Sequence, residues 1–116
     1  MQITLLKSKI HKARVTDADL NYEGSIGIDK EILKKANIRV FEKVDVYSLT
    51  TGVRFSTYAI EGKSGEISLN GAAARLVQKD DTVIIASYAN YYEDEAKDHK
   101  PTILLMDRTN KIKEII

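Results

Sequence analysis

The sequence predicts a mainly β fold, a small barrel of short strands with two short helices, and three observations lead there. Most apolar stretches are short, rich in Val, Ile, Thr, Tyr and Phe, and bounded by Gly, Asn, Asp or Ser. Helical spacing is confined to residues 30–36 and 72–76. No strand alternates with a long helix, which argues against a βαβ sheet. At 116 residues the chain suits one domain with one hydrophobic core.

The first strand is expected from about Ile3 to Val15, and strict alternation sets Lys7, Lys9, His11 and Ala13 on one face. Tyr22 to Ile28 reads as a second extended piece interrupted by Gly24 and Gly27. Asp29 is placed to cap a helix over Lys30 to Ala36, with Ile32, Leu33 and Ala36 toward the core. Val44 to Leu49 and Val53 to Ile60 form a hairpin around Thr50-Thr51-Gly52. Alternation in its second strand puts Arg54, Ser56 and Tyr58 on one face and Phe55, Thr57 and Ala59 on the other. After the Gly62-Lys63-Ser64-Gly65 turn, Glu66 to Leu69 is a brief strand, and Asn70-Gly71 turns into one helical turn over Ala72 to Leu76. Asp80-Asp81 is turn chemistry leading the most apolar strand, Thr82 to Ala89. The charged run from Glu93 to Lys100 reads as a solvated turn or helix face, and two weaker strands, Thr102 to Met106 and Lys111 to Ile115, flank an Arg108-Thr109-Asn110 turn.

Composition excludes several function classes. Lys plus Arg number 18 against 17 Asp plus Glu, so a net charge of +1 gives no general pull toward nucleic acid or an anionic membrane. Without Cys there are no disulfides, thiolate metal sites or cysteine nucleophiles. The apolar run at the start is too short for a signal peptide and no stretch approaches a membrane span, so a cytoplasmic protein is expected.

Taken singly, the chemical candidates have ordinary readings. Gly24-Ser25 can be a strand bend, Lys9 with His11 and Arg54 with Tyr58 surface ladders, Asn70-Gly71 a turn, and His99 a loop residue. Tyr47, Tyr88, Tyr91 and Tyr92 are expected at the core margin or at a subunit contact.

Four stretches in order change that balance. Lys9-Ile10-His11-Lys12-Ala13 with Val15-Thr16 and Ala18-Asp19-Leu20, then Tyr22-Glu23-Gly24-Ser25, then Arg54-Phe55-Ser56-Thr57-Tyr58, and last Leu69-Asn70-Gly71-Ala72-Ala73-Ala74 with Val83 to Tyr88, together resemble bacterial aspartate 1-decarboxylase over roughly residues 1 to 90. Two positions depart from the family pattern: Ile26 stands where a smaller or more polar residue is expected, and Asp80-Asp81 where Gly-Asp is.

The resemblance implies a double-psi β-barrel, assembled as a homotetramer with active sites between subunits. It implies self-cleavage between Gly24 and Ser25 into chains 1–24 and 25–116, leaving a pyruvoyl group derived from Ser25 as the cofactor, with neither metal nor pyridoxal phosphate. The serine hydroxyl would attack the Gly24 carbonyl, and Thr57 would donate to the oxyanion. The activity implied is decarboxylation of L-aspartate to β-alanine through a Schiff base, supplying pantothenate synthesis. By the same match Tyr58 is the proton donor, Arg54 and Lys9 bind substrate carboxylates, and His11, Asn70, Gly71, Ala72 and Ala73 line the site. An accessory maturation protein is compatible with this scheme. The competing class is a non-catalytic barrel whose Gly24-Ser25 bond stays intact; a nucleic-acid-binding barrel is disfavoured by the balanced charge.

Overall fold

The computed structural model describes every residue from Met1 to Ile116. Its strands are β1 (Gln2–Arg14), β2 (Asp17–Asp19), β3 (Ser25–Asp29), β4 (Lys43–Ser48), β5 (Arg54–Gly62), β6 (Ile67–Asn70), β7 (Thr82–Tyr92), β8 (Thr102–Met106) and β9 (Ile112–Ile115). Helices α1 (Lys30–Ala36) and α2 (Glu93–Ala96) and a 3-10 turn over Gly71–Arg75 complete it. The mainly β expectation holds.

The strands run in the order β2-β6-β3-β5-β4-β7-β1-β8-β9, and this order closes on itself. β1 continues through Val15 and Thr16 into β2: the Thr16 N–H donates to the Ile67 carbonyl at 2.7 Å, and β2 pairs in parallel with β6. The ring is therefore β1 with β2, then β6, β3, β5, β4 and β7, a barrel of six strand positions with β8 and β9 carried beside β1. Closure leaves the wall without a free edge.

Alternation fills the interior. Ile10, Ala13, Val15, Ile26, Ile28, Val44, Val46, Ala59, Ile67, Leu69, Val83 and Ile85 point inward and are fully buried. The expected α1 forms, with Asp29 accepting from the Glu31 N–H at 2.8 Å and Ile32, Leu33 and Ala36 buried. The β4–β5 hairpin pairs Tyr47 with Arg54 and Val44 with Thr57, and Gly52 supplies the positive φ of its turn. Asp80 takes the left-handed conformation that the Asp80-Asp81 turn allows, with φ 76°.

Two expectations fail for physical reasons. β1 is bulged between Leu6 and Ser8 and between Ile10 and Ala13, where Lys12 has φ 64°. Each bulge shifts the alternation, so Ser8, Ile10 and Ala13 are buried while Lys9 and His11 lie on the other face. Ala13 therefore does not share the Lys9 face. Lys7 falls at the first bulge, where Glu42 takes its ammonium at 2.9 Å. Burial would raise the Glu42 carboxyl, but the Arg39 N–H, the Ser87 hydroxyl and Lys7 outweigh it and hold it below the usual range. The second failure is at Tyr22 to Ile28. Asp19 accepts from the Asn21 N–H at 2.9 Å, a local turn that competes with a strand, and extended pairing begins only at Ser25.

Candidate active site

Ser25 opens β3 beside Asn70, its cross-strand partner on β6. Gly24 is exposed whereas Ser25 is 1% exposed, so the bond between them crosses from surface to interior. The Ser25 hydroxyl donates to the Glu23 carbonyl at 3.1 Å and accepts from Asn70 Nδ2 at 3.1 Å. A buried hydroxyl held from two sides has one rotamer, and here that rotamer lies against its own chain just ahead of the strand.

The adjoining turn explains Asn70-Gly71. Gly71 has φ 67°, and a Cβ there would lie 2.7 Å from Gly24 Cα and 2.8 Å from Gly24 N. Only glycine admits this close approach of two backbones. A cavity of about 310 Å³ opens beside it, lined by Gly24, Phe55, Ser56, Thr57, Asn70, Ala72, Ala73 and Leu76. The fold thus brings Gly24, Thr57, Asn70, Ala72 and Ala73 to one cavity, with Ser25 and Gly71 at its border.

The remaining candidates lie on the outer wall. β3 pairs in parallel with β5, with Ile26 opposite Ala59, so Tyr58 lies one residue before the partner of Ile26 and its side chain faces away from the buried Ala59. Tyr58 stacks at a tilt against Phe41, ring centroids 6.1 Å apart. Arg54 is exposed, its guanidinium 4.0 Å above the Tyr47 ring, and it lines a different cleft from Gly24. Lys9 lies farther round: it pairs with Ala86, Ala86 with Asp45, and Asp45 with Ser56. Three strand spacings of about 4.8 Å separate β1 from β5, roughly 14 Å. Lys9 is not among the residues that line the Gly24 cavity.

His11 keeps company with Lys9 on β1, its Nδ1 buried without a hydrogen-bond partner. Burial, then Lys9 and Lys12, hold the imidazole below its ordinary pKa. His99 is bound elsewhere, with Nε2 2.6 Å from the Leu6 carbonyl and its ring on Tyr91.

The largest cleft, about 600 Å³, lies next door and is lined by Asp17, Asp19, Glu61 and Glu66 among others. Four carboxylates against one lysine make it a poor seat for an anionic substrate. Sequence reasoning missed Tyr47 and Tyr88 as members of the Arg54 neighbourhood. The hairpin register, which faces Tyr47 with Arg54, was the available signal for the first.

The class defined by this fold and site is a small closed barrel with a buried serine at the start of a strand, directly after a glycine that lines a cavity. Comparison with known proteins narrows it. The family model described as aspartate decarboxylase matches residues 1–113. An aspartate 1-decarboxylase of Bdellovibrio bacteriovorus is 54% identical over 114 residues, covering 98% of this chain and 92% of that protein. One from Ralstonia nicotianae is 52% identical over 117 residues, covering 99% and 98%, and one from Clostridium botulinum is 54% identical over 117 residues, covering 99% and 92%. The chain belongs to the aspartate decarboxylase family. The match runs beyond residue 90, through β8 and into β9, farther than the motifs alone carried it.

Proposed function

We propose that the chain converts L-aspartate to β-alanine and CO₂ after cutting itself between Gly24 and Ser25, leaving a pyruvoyl group at residue 25. The observation that carries this is the Ser25 hydroxyl, buried and held between Asn70 and the Glu23 carbonyl at the border of the Gly24 cavity. In this reading Ser25 Oγ attacks the Gly24 carbonyl carbon, the C–N bond breaks as the nitrogen takes a proton, and an ester joins Gly24 to the serine oxygen. Elimination then releases the Gly24 carboxylate and leaves dehydroalanine, which water hydrolyses with loss of ammonia. Thr57, lining the same cavity as Gly24, donates to the oxyanion of the first step.

The residues fit such a group: the buried strand start keeps bulk water from position 25, and the cavity of about 310 Å³ admits a four-carbon acid. Once formed, the pyruvoyl carbonyl supplies the electron sink that decarboxylation needs and no side chain offers. The chain's own groups do the rest. Arg54 binds a substrate carboxylate through its planar fork, Lys9 adds a second cation, and Tyr58 returns a proton to the carbon that loses CO₂. His11, its pKa lowered by burial and its lysine neighbours, lines the site with Asn70, Gly71, Ala72 and Ala73.

The placement of Lys9 outside the Gly24 cavity favours a homotetramer in which a neighbouring subunit completes each site. We read the barrel as the double-psi type, supported by the parallel pairings of β3 with β5 and of β2 with β6.

Purified protein is expected to give two masses under denaturing conditions, for residues 1–24 and 25–116, the larger reacting with a carbonyl reagent, and to release β-alanine from aspartate. A single intact chain, lacking carbonyl and activity, would refute the proposal. Thr57→Val is expected to slow cleavage by about a hundredfold to a thousandfold, the size of effect of removing one oxyanion donor. Fragment formation followed by mass after fresh expression measures it, and normal processing would remove Thr57 from that step.

A further inference from the structure

Arg54 lacks the carboxylate partner that usually fixes an arginine. The chain's two ion pairs are Lys7 with Glu42 and Arg14 with Asp80, and neither involves Arg54. What it has is a ring. Tyr47 stands directly across the β4–β5 ladder from Arg54, and the guanidinium carbon lies 4.0 Å from the ring centroid. The ring is itself held at its far end: the Tyr47 and Tyr88 hydroxyls are 2.9 Å apart, and the Tyr47 hydroxyl also reaches Asp45 Oδ2 at 3.4 Å. Asp45, the carboxylate nearest in the ladder, is thereby directed to the phenol and not to the cation.

We propose that Tyr47, latched by Tyr88 and Asp45, is the positioning residue that holds the Arg54 guanidinium in the plane in which it receives a substrate carboxylate. The proposal rests on the function assigned above and deepens it at the same site. A guanidinium offers two different surfaces. Its face attracts an aromatic ring, while its edge carries the paired N–H donors that fit a carboxylate. Stacking on Tyr47 therefore orients the fork while no carboxylate of the chain takes its paired donors, whereas an ion pair with Asp45 would hold it and block it. An exposed arginine without such a support would spread over many rotamers and lose that freedom on binding substrate. The phenol remains neutral over the working range: burial first, then Tyr88 and Asp45, push it up to about 12, with Arg54 pulling the other way.

Three variants test this against a purely structural role, each normalised to pyruvoyl content. Tyr47→Leu removes the ring and is expected to raise KM for aspartate roughly tenfold, within the twofold to thirtyfold range of a cation–π contact, with a smaller change in kcat. Tyr47→Phe keeps the ring face and is expected to recover most of that loss. Tyr88→Phe, at an exposed position where folding is not at risk, releases the latch and is expected to raise KM by about twofold to fivefold. In an Arg54→Lys background, Tyr47→Leu is expected to add nothing, because the planar fork it orients is gone.

Succinate, a four-carbon diacid without an amine, reads the same contact without turnover: its dissociation constant, measured by calorimetry, should weaken in Tyr47→Leu in parallel with KM. Wild-type protein that binds succinate in a Tyr47-dependent way but does not decarboxylate aspartate would sink the functional assignment and leave the positioning claim standing. The positioning claim falls if KM and the succinate constant are unchanged in the folded variants, if Phe recovers no more than Leu, or if the two substitutions act additively.

Discussion

Ser25→Ala is expected to yield a single chain of 116 residues with no pyruvoyl group and no detectable β-alanine production. The substitution removes the hydroxyl proposed to attack the Gly24 carbonyl, and the partners that orient it, Asn70 Nδ2 and the Glu23 carbonyl, have no chemistry of their own to replace it. Folding should survive. Ala fits where Ser stood, and the cost is an unpaired Asn70 amide at a site 6% exposed, about 1 to 3 kcal/mol for a buried donor. The remaining barrel core, with its closed ring of strands, is untouched. An intact-mass spectrum and a carbonyl titration on the variant decide the matter, with circular dichroism to show the barrel is formed. Cleavage at this bond in Ser25→Ala would mean that the nucleophile is not the serine.

Arg54 carries the second large effect, and it separates maturation from turnover. Arg54 lies outside the Gly24 cavity, so self-cleavage is expected to proceed normally in Arg54→Lys and Arg54→Ala. Turnover is a different matter. Lysine retains the charge but neither the fork nor the stack on Tyr47, and the loss of a charge-assisted hydrogen bond is worth roughly 1.5 to 3 kcal/mol, on the order of tenfold to a hundredfold in kcat/KM. Alanine is expected to be worse, because the only other cation assigned to the substrate, Lys9, lies about 14 Å away around the same wall by strand spacing. β-Alanine formed per pyruvoyl group measures both variants. Wild-type turnover per group in Arg54→Ala would show that Arg54 does not hold the carboxylate, and the site would have to be rebuilt around Lys9 and His11.

By itself the sequence determined the class of fold, the α1 helix with its Asp29 cap, the β4–β5 hairpin and the face shared by Arg54 and Tyr58. These depend on interactions within a few residues: a side chain reaching its own backbone, a Gly that tolerates positive φ, and a pleat of period two. The motifs around Gly24-Ser25, Arg54 to Tyr58 and Asn70-Gly71 pointed to the family for a different reason, since they are chemistry written in the chain. Tertiary structure decided the rest. The bulges at Lys7 and Lys12 flip the alternation of β1, and they exist because β1 must pair with β7 and β8 at once and then cross to β6, a demand set by strands far away in the chain. The start of β3 at Ser25, the meeting of Gly71 with Gly24, and the cavity that joins Gly24 to Thr57 likewise come from closing the barrel. Closure also decided that Lys9 is not among the residues lining the Gly24 cavity, because the strand order around a ring depends on pairings between distant segments, and local preferences carry no record of them.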